Sequence, residues 1–426
     1  MANDTNVLVR KLKLTIINDN KEERNEQYKF IRDAQYAQYQ LLNRYMSYLV
    51  SELYQSGMDL NSERYKNASK ISKSSKLFND GIVYGTGVDT KSLVKPKVEK
   101  DISTAIKNGF MRGERSVNNY KRTFPLMTYG RHLKFEYDDK NNVIIKWIHK
   151  IKFKVVLSSK KKNNNDELMH TLHKVINKEY KIGQSSLMFD SNNNLILNLS
   201  IHFPKKEKTT DIVEGRTLGV DLGIKIPAYA SLNDDIYIRQ SFGSVLELAK
   251  AKKQFKERRA RIYKQMSNVK GGRGRKKKMK AAYNLSNKER RFTKNYNHQL
   301  SRRIVNFAKA NNCEYINMEH LEGDSFKDKK VLGIWTYYEL QQYIKYKAEM
   351  EGIKVRFVNP AYTSQTCSKC GYVDEGNRPT QEEFKCKKCG FKMNADRNAS
   401  INISRKTEDV KKKRPNIKKD AITKNK

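Results

Sequence analysis

The chain has 426 residues, enough for two or three hydrophobic cores, and its 87 Lys and Arg against 46 Asp and Glu residues give a net charge of +41. So large an excess of positive charge repels itself unless a polyanion neutralises it, and nucleic acid is therefore the expected partner. No run approaches the ~18 apolar residues of a membrane span, and the start lacks an apolar signal segment, which predicts a cytoplasmic protein with no membrane partner.

The first half of the chain reads as a β-domain that helices interrupt. Residues 7–17 alternate apolar and basic side chains, which predicts a half-buried strand with a basic face. From Asn20 to Gln55 the period becomes helical, and helical sequence continues to about Tyr120. The stripe expected to be buried in the long helix is Ile31, Ala34, Leu42, Tyr45, Leu49 and Leu53. Between residues 124 and 204 four strand-like runs return, separated by turn-like Asn, Asp and Lys clusters: HLKFEY, NVIIKWI, KIKFKVVL and NLILNLSIHF.

The second half alternates strands with long helices, which favours an α/β layer. The runs TLGVDLG, EYINME and IKVRFV read as its strands. Helices are predicted over 244–268 and 285–310, as an antiparallel pair joined by the basic tip GGRGRKKKMK. A further helix is predicted over 336–351, where Thr336 and Glu339 fit a capping box.

Three acids stand where strands or helices begin or end. Asp221 closes an apolar run between Gly219 and Gly223. Glu319 leaves the strand EYINME, and Asp396 opens a predicted helix in NADRNASINI. For any one acid alone, a turn or cap is an equally good interpretation. Together, carboxylates converging from separate elements repel one another, and a hard cation such as Mg²⁺ relieves that repulsion. Two such ions ~4 Å apart can activate a water and stabilise the leaving oxygen of a phosphodiester.

Four of the five cysteines form two CxxC pairs: Cys367, Cys370, Cys386 and Cys389. The separation of the pairs matches a four-thiolate Zn²⁺ ribbon, and the glycine after each pair allows a tight turn. A redox site is the alternative, but it would need only one pair. Because protein supplies all four ligands, the predicted zinc is structural. The remaining cysteine, Cys313, is expected to be a small buried residue.

The segment from Lys252 to Lys280 is dense in Lys and Arg and contains the single acid Glu257. Contacts to a phosphate backbone would explain this density, and a solvated helix face would explain it equally well. The candidate nucleic-acid-binding residues at its glycine-rich tip are Arg273, Arg275, Lys276, Lys277 and Lys278.

The order of LGVDLG, INMEHL, YTSQTCSKCGYVDEGNR and FKCKKCGFKMNADRNASINI resembles the RuvC and zinc-ribbon region shared by transposon-encoded TnpB nucleases and miniature type V-F CRISPR effectors. The resemblance covers residues 215–404. It implies that Asp221, Glu319 and Asp396 bind the catalytic Mg²⁺ and that the four paired cysteines bind zinc in a target-nucleic-acid-binding insert. It also implies that Arg378, in the GNR motif, supports the active site. The segment IWTYYELQQYIKYKAE and the YTSQ that follows favour the CRISPR effectors.

The implied architecture is multi-domain α/β, with an RNase H-like RuvC domain preceded by a β-barrel wedge domain that carries a helical recognition insertion. The expected segments are a wedge strand (1–18), a helical recognition domain (19–122), the wedge β-barrel (123–208), a linker (209–214), the RuvC domain (215–362), the zinc-ribbon insert (363–393), the last RuvC segment (394–404) and a basic disordered tail (405–426).

The resemblance implies an RNA-guided DNA endonuclease whose partners are a guide RNA and target double-stranded DNA, with the flanking motif recognised by the N-terminal half. A compact chain of this length has a radius of gyration of about 22 Å, whereas ~20 paired nucleotides span about 68 Å. A structured RNA or a second copy must therefore complete the channel, and we expect a homodimer on one guide RNA. The alternatives are a TnpB nuclease guided by a transposon-end RNA and a cleavage-inactive repressor. A transposase or junction resolvase would not explain a ribbon between the second and third acids.

Overall fold

The computed structural model describes residues 5–72, 75–79, 87–157, 165–204, 211–223, 226–269, 271–320 and 337–408. Its contacts divide the chain into two compact units, Met1–Pro204 and Lys205–Lys426. The finer domain boundaries given above remain predictions. No helix within the described ranges is long and apolar enough to cross a membrane.

The first unit is built on one antiparallel sheet. Its strands are β1 (Thr5–Ile16), β2 (Leu126–Thr128), β3 (Leu133–Tyr137), β4 (Val143–Trp147), β5 (Lys152–Val155), β6 (Lys181–Ile182), β7 (Ser185–Phe189) and β8 (Leu195–Pro204). The order is β2-β7-β8-β1-β5-β4-β3, with β6 also on β8. The predicted strand at the N-terminus is confirmed, and it lies in the middle of the sheet. In the part of the chain that the structure describes, no ladder joins β2 to β3, so closure into a barrel stays a prediction.

The helices of the first unit are α1 (Lys21–Gln55), α2 (Glu63–Ser69), α3 (Lys76–Asn79), α4 (Gly87–Lys107) and α5 (Asp166–Ile176). Helix α1 begins where Asn20 accepts hydrogen bonds from the amides of Glu22 and Glu23, which caps the first turn. All six residues of its predicted stripe are buried. Ile31 packs on the sheet core, whereas Leu42 packs on the helical core, so α1 belongs to both.

Helix α5 corrects the interpretation of residues 124–204 as strands and turns. It lies between β5 and β6, and its Leu172 and Val175 join the core of the sheet. The residues before it form a polar Asn and Lys cluster, and a helix of only three turns gives too short a pattern to separate from such turns.

The second unit contains a mixed five-stranded sheet with helices on both faces. Its strands are β9 (Val213–Asp221), β10 (Ala228–Leu232), β11 (Arg239–Phe242), β12 (Cys313–Glu319) and β13 (Lys354–Val358), in the order β11-β10-β9-β12-β13. Strands β10 and β11 are antiparallel to their neighbours, and β12 runs parallel to both β9 and β13. The helices are α6 (Val245–Ser267), α7 (Gly272–Ala310), α8 (Tyr337–Met350) and α9 (Ala395–Arg405). The strands β14 (Glu383–Lys385) and β15 (Lys392–Asn394) form a separate two-stranded sheet.

Helix α7 begins earlier than predicted, at Gly272 and not at residue 285. The basic tip therefore forms the first turns of a helix and not a connecting loop. Lys, Arg, Met and Ala are strong helix formers, and Gly272 supplies the left-handed turn before them with φ +74°. Of the predicted helix 336–351, Thr336 lies outside the described residues, as does the tail from residue 409.

Candidate active site and cysteine cluster

Two of the predicted acids leave neighbouring parallel strands at the same end. Met318 of β12 lies opposite Val220 of β9, so Glu319 and Asp221 occupy the next position on each strand. Val220 and Met318 are fully buried in the core that α7 and α8 share with the sheet. Since side chains alternate along a strand, Asp221 and Glu319 project to the opposite face.

Helix α9 lies directly against that opposite face. A Cβ on Gly219 would lie 2.1 Å from the carbonyl oxygen of Ser400 and 2.3 Å from the amide nitrogen of Ser404. Only glycine therefore allows the helix backbone to approach β9 this closely. At the other end, the side chain of Asn394 accepts a hydrogen bond from the amide of Arg397 and caps the helix.

Asn317 of β12 fixes the C-terminal end of α9. Its Nδ2 donates to the carbonyl oxygens of Ile403 at 2.9 Å and Lys406 at 2.6 Å, which satisfies two of the unpaired carbonyls of a helix end. With both ends held, the first turn of α9 places Asp396 at the site. The carboxylate of Asp396 is buried, and its Oδ2 lies 3.5 Å from where a Cβ on Gly223 would be.

The three acids act on one another electrostatically. Burial first, and then the negative charges of Glu319 and Asp396, raise the pKa of Asp221 well above its ordinary range. Burial also raises the pKa of Glu319. Within the described ranges, the four paired cysteines are the only group of three or more possible ligands whose atoms all lie within 4.8 Å of one another. The ligand oxygens of the three acids therefore do not all lie within that distance of one another.

Arg378 reaches this site from the ribbon. Its Nη2 lies 3.6 Å from Oδ1 of Asp396 and donates to the carbonyl oxygen of Gln381 at 2.8 Å. Its charge opposes the upward shift in the pKa of Asp221. The Nε of Arg378 is buried and makes no hydrogen bond to any residue that the structure describes.

Three residues that sequence reasoning did not assign also contact the strand ends. The hydroxyl of Thr363 donates to Oε1 of Glu319 and opposes the rise in the pKa of that carboxyl. The hydroxyl of Tyr337 donates to the carbonyl oxygen of Gly223 at 3.2 Å, and burial followed by the charge of Asp221 raises the pKa of Tyr337 to about 12. Gln341 donates its Nε2 to the carbonyl oxygen of Glu319 at 2.8 Å. Thr363 lies in the quoted YTSQ segment and Tyr337 in the quoted IWTYY segment. Their position in these two segments is the sequence signal that could have identified them as site residues.

The structure brings the four predicted cysteines together. Cys367 Sγ and Cys389 Sγ are 3.8 Å apart, and Cys370 Sγ and Cys386 Sγ are 3.6 Å apart. Sulfurs at the corners of a tetrahedron with Zn–S bonds of about 2.3 Å are separated by about 3.8 Å. In each knuckle the amide of the following glycine donates to the carbonyl oxygen of the first cysteine at 2.9 Å. The cluster therefore has the shape of a tetrahedral thiolate site.

Asparagine side chains attach this ribbon to α9. Asn398, which is fully buried, accepts from the amide of Ser368 at 3.0 Å and donates to the carbonyl oxygen of Thr366 at 2.8 Å. Asn402 donates to the carbonyl oxygens of Thr363 and Thr366 at 2.9 and 2.7 Å. The helix that carries Asp396 thus holds the backbone on both sides of Cys367.

Asn377 of the GNR motif, which is fully buried, joins the two knuckles. Its Nδ2 donates to the carbonyl oxygens of Gln365 and Tyr372, and its Oδ1 accepts from the amide of Lys387 at 2.9 Å. The next residue is Arg378, so the folded structure of the ribbon also determines where the guanidinium of Arg378 lies.

The basic tip remains a surface feature. Arg273, Arg275, Lys276 and Lys277 are exposed on the first turns of α7. Lys278 is half-buried and donates to the carbonyl oxygen of Gln265 at 3.0 Å. The part that these residues play in nucleic-acid binding stays a prediction.

Comparison with known proteins gives the family. Residues 337–403 match the family model described as Cas12f1-like, TNB domain. The CRISPR-associated endodeoxyribonuclease Cas12f1 of Sulfoacidibacillus thermotolerans is 32% identical over 319 residues, which cover 70% of this chain and 72% of that protein. A TnpB-like protein of Methanocaldococcus jannaschii is 28% identical over 243 residues, covering 55% of this chain and 81% of that protein.

The fold is similar to that of a solved effector. A cryo-EM structure of the Cas12f1–sgRNA–target DNA complex matches with a TM-score of 0.69 at 20% identity and covers 94% of this chain and 99% of that chain. On the sequence relationship to the Sulfoacidibacillus protein, the chain belongs to the Cas12f1 family of miniature type V-F CRISPR effectors.

Proposed function

We propose that the chain is an RNA-guided DNA endonuclease that hydrolyses phosphodiester bonds of guide-matched DNA at Asp221, Glu319 and Asp396. The observation that carries the proposal is the convergence of these three acids, from two parallel strand ends and one helix start, in a chain of this family. The relative described above is named an endodeoxyribonuclease, and the similar solved structure is a complex with sgRNA and target DNA. The strand order of the second unit, three antiparallel strands followed by two parallel ones, supports an RNase H-like RuvC fold.

The donor set supports Mg²⁺ as the cofactor. Carboxylates are the hard oxygen ligands that Mg²⁺ prefers. Burial and the repulsion from Glu319 and Asp396 raise the pKa of Asp221. A divalent cation would offset the cost of the buried negative charge and reduce the repulsion. Asp221, Glu319 and Asp396 would hold the ions. Bound Mg²⁺ would supply an activated water and charge stabilisation at the leaving 3′-oxygen.

The neighbouring side chains orient this site. Thr363 donates to one oxygen of Glu319 and leaves the other available as a ligand. Arg378 pairs with Asp396 at 3.6 Å and so keeps a positive charge beside the acids. Tyr337 and Gln341 bond the backbone at the two strand ends, which limits their movement.

The cysteine cluster supports a structural Zn²⁺. Its four sulfurs have tetrahedral spacing, and all four ligand positions are filled by protein, so no open position remains for chemistry. The hydrogen bonds of Asn398 and Asn402 connect this cluster to α9. Zinc would therefore stabilise the positions of Asp396 and Arg378 without taking part in hydrolysis.

The proposed partners are a guide RNA and target double-stranded DNA, with two copies of the chain on one guide, in the cytoplasm. A TnpB nuclease guided by a transposon-end RNA is the second candidate, which the TnpB-like match supports. The neighbouring genome separates the two, because a repeat–spacer array indicates a CRISPR effector and transposon ends indicate TnpB.

The test is cleavage of a matched DNA duplex by the purified chain with its guide RNA in Mg²⁺, beside a duplex that the guide does not match. We expect cutting of the matched duplex only. Asp221→Ala should not cut it, and Glu349→Ala, at an exposed carboxylate on α8, is the matched control for that variant and should cut as the wild type does. Equal cutting of both duplexes, or none of either, would contradict the proposal.

A further inference from the structure

A row of lysines crosses the N-terminal sheet in direct register. Lys134 of β3 lies opposite Lys146 of β4, and Lys146 lies opposite Lys152 of β5. Directly opposite side chains have Cβ atoms ~4.5–5.5 Å apart, and like charges at that distance destabilise a sheet. Lys134 and Lys152 are exposed, so packing does not require them. The row therefore places two like-charge pairs on this face, which the ion pair of Lys146 with Glu136 offsets in part, and a further anion bound over the row would reduce the remaining repulsion.

A cavity of about 550 Å³ lies over this row. Five cations line it, namely Arg131, Lys134, Lys146, Lys150 and Lys152. Apolar surface lies among them, including Ile148, which is 54% exposed. The lining that the structure describes includes no carboxylate, although Glu136 beside it pairs with Lys146 at 2.6 Å. The cavity thus combines an excess of positive charge with an uncovered apolar surface.

This combination fits a nucleotide better than a smooth duplex. A regular double helix presents its phosphates on a convex surface and keeps its bases stacked inside. A folded RNA presents bulged nucleotides. The phosphate of such a nucleotide can pair with cationic side chains, and its base can pack against an apolar surface. We propose that this cavity binds an unpaired nucleotide of a folded RNA, with the lysine row contacting the adjoining phosphates. The identity of that RNA as the guide rests on the proposed function.

The proposal predicts two effects of opposite sign in one variant. Lys134→Gln together with Lys152→Gln removes both like-charge pairs and leaves the Lys146–Glu136 pair intact. Without RNA, the Tm should rise by about 2 °C, since two repulsive pairs are lost. With RNA, the slope of log Kd against log salt should become shallower by about 2, because two phosphate contacts are lost. If these lysines had a purely structural role, replacing them would instead lower the Tm.

The experiment measures binding of three probes: an RNA hairpin with one bulged nucleotide, the same hairpin without the bulge, and a DNA duplex of equal length. The wild-type protein should prefer the bulged hairpin, and the double variant should lose that preference. Lys11→Gln with Lys13→Gln is the matched control, because these exposed lysines lie on β1 of the same sheet and do not line the cavity.

Three results would overturn the inference. They are an unchanged preference in the double variant, an equal loss of affinity for the DNA duplex, and a fall in Tm. Cleavage is scored separately on the same proteins. Wild-type protein that keeps the bulge preference but does not cut matched DNA would defeat the proposed function and leave this inference standing.

Discussion

Asn398→Ala is expected to loosen the ribbon from the helix that carries Asp396. Asn398 is fully buried, accepts from the amide of Ser368 at 3.0 Å and donates to the carbonyl oxygen of Thr366 at 2.8 Å. Alanine leaves the Ser368 amide without its partner, whereas the Thr366 carbonyl keeps its hydrogen bond from Asn402. One lost hydrogen bond and one stranded donor together cost about 2–3 kcal/mol.

Two readouts follow from that magnitude. A loss of about 2–3 kcal/mol in a unit of this size lowers the Tm by roughly 5–10 °C. Because Ser368 lies inside the first CxxC knuckle, zinc should also pass to a chelator faster than from the wild type. Asn402→Ala is the comparison variant and should cost less, about 1 kcal/mol: Thr366 keeps its bond from Asn398, the Thr363 carbonyl loses the bond from Asn402, and no buried N–H is left without an acceptor. A Tm and a zinc-release rate that match the wild type in Asn398→Ala would refute the attachment of the ribbon through α9.

Three further predictions test the metals and the charged tip. Cys386→Ser should lower zinc content, unfold residues 363–393 locally and abolish cleavage, and zinc content measured by metal analysis checks this. Neutralising the basic tip should weaken binding to all nucleic-acid sequences alike and flatten the salt dependence of the Kd. The residues changed together are Arg273, Arg275, Lys276, Lys277 and Lys278. An unchanged slope would show that the tip is a solvated surface that does not contact phosphates. In metal-free protein, Asp221→Asn should raise the Tm, because a folded-state pKa above the ordinary 3.8 means that the ionised carboxyl destabilises the fold. The gain should be absent below about pH 4 and grow as the pH rises towards the folded-state pKa, and Mg²⁺ should stabilise the wild type more than the variant. A Tm difference that does not change with pH would contradict the assigned burial and repulsion.

The sequence predicted the strands of the site because their pattern is local. Alternation in TLGVDLG and EYINME places Asp221 and Glu319 at strand ends, and parallel pairing of β9 and β12 then brings those ends together. The sequence also predicted a helix that begins near Asp396, and the structure confirms it, with Asn394 as the cap of α9. The cysteine spacing predicted a cluster that the structure forms.

The contacts that orient the acids could not be predicted in this way. The hydrogen bond from Thr363 to Glu319 joins residues far apart in sequence, and so does the pair from Asn317 to the end of α9. Such contacts depend on how the helices and the ribbon pack on the sheet, and the periodicity of a short sequence segment carries no information about that packing. The early start of α7 was missed for a different reason, because glycine-rich basic sequence is typical of both loops and exposed helix turns.

In the proposed function, Asp221 serves chemistry and not binding or folding. The most direct test measures guided cleavage of a matched duplex in Mg²⁺ and DNA binding on one preparation of Asp221→Ala. Cleavage should be abolished, because ligands for the ions are lost, while binding of guide and target is retained. Glu319→Ala and Asp396→Ala should behave alike, and a double variant should lose little more than either single one. Wild-type cutting by Asp221→Ala would contradict the assignment of the active site, and loss of both folding and binding would make Asp221 a structural residue.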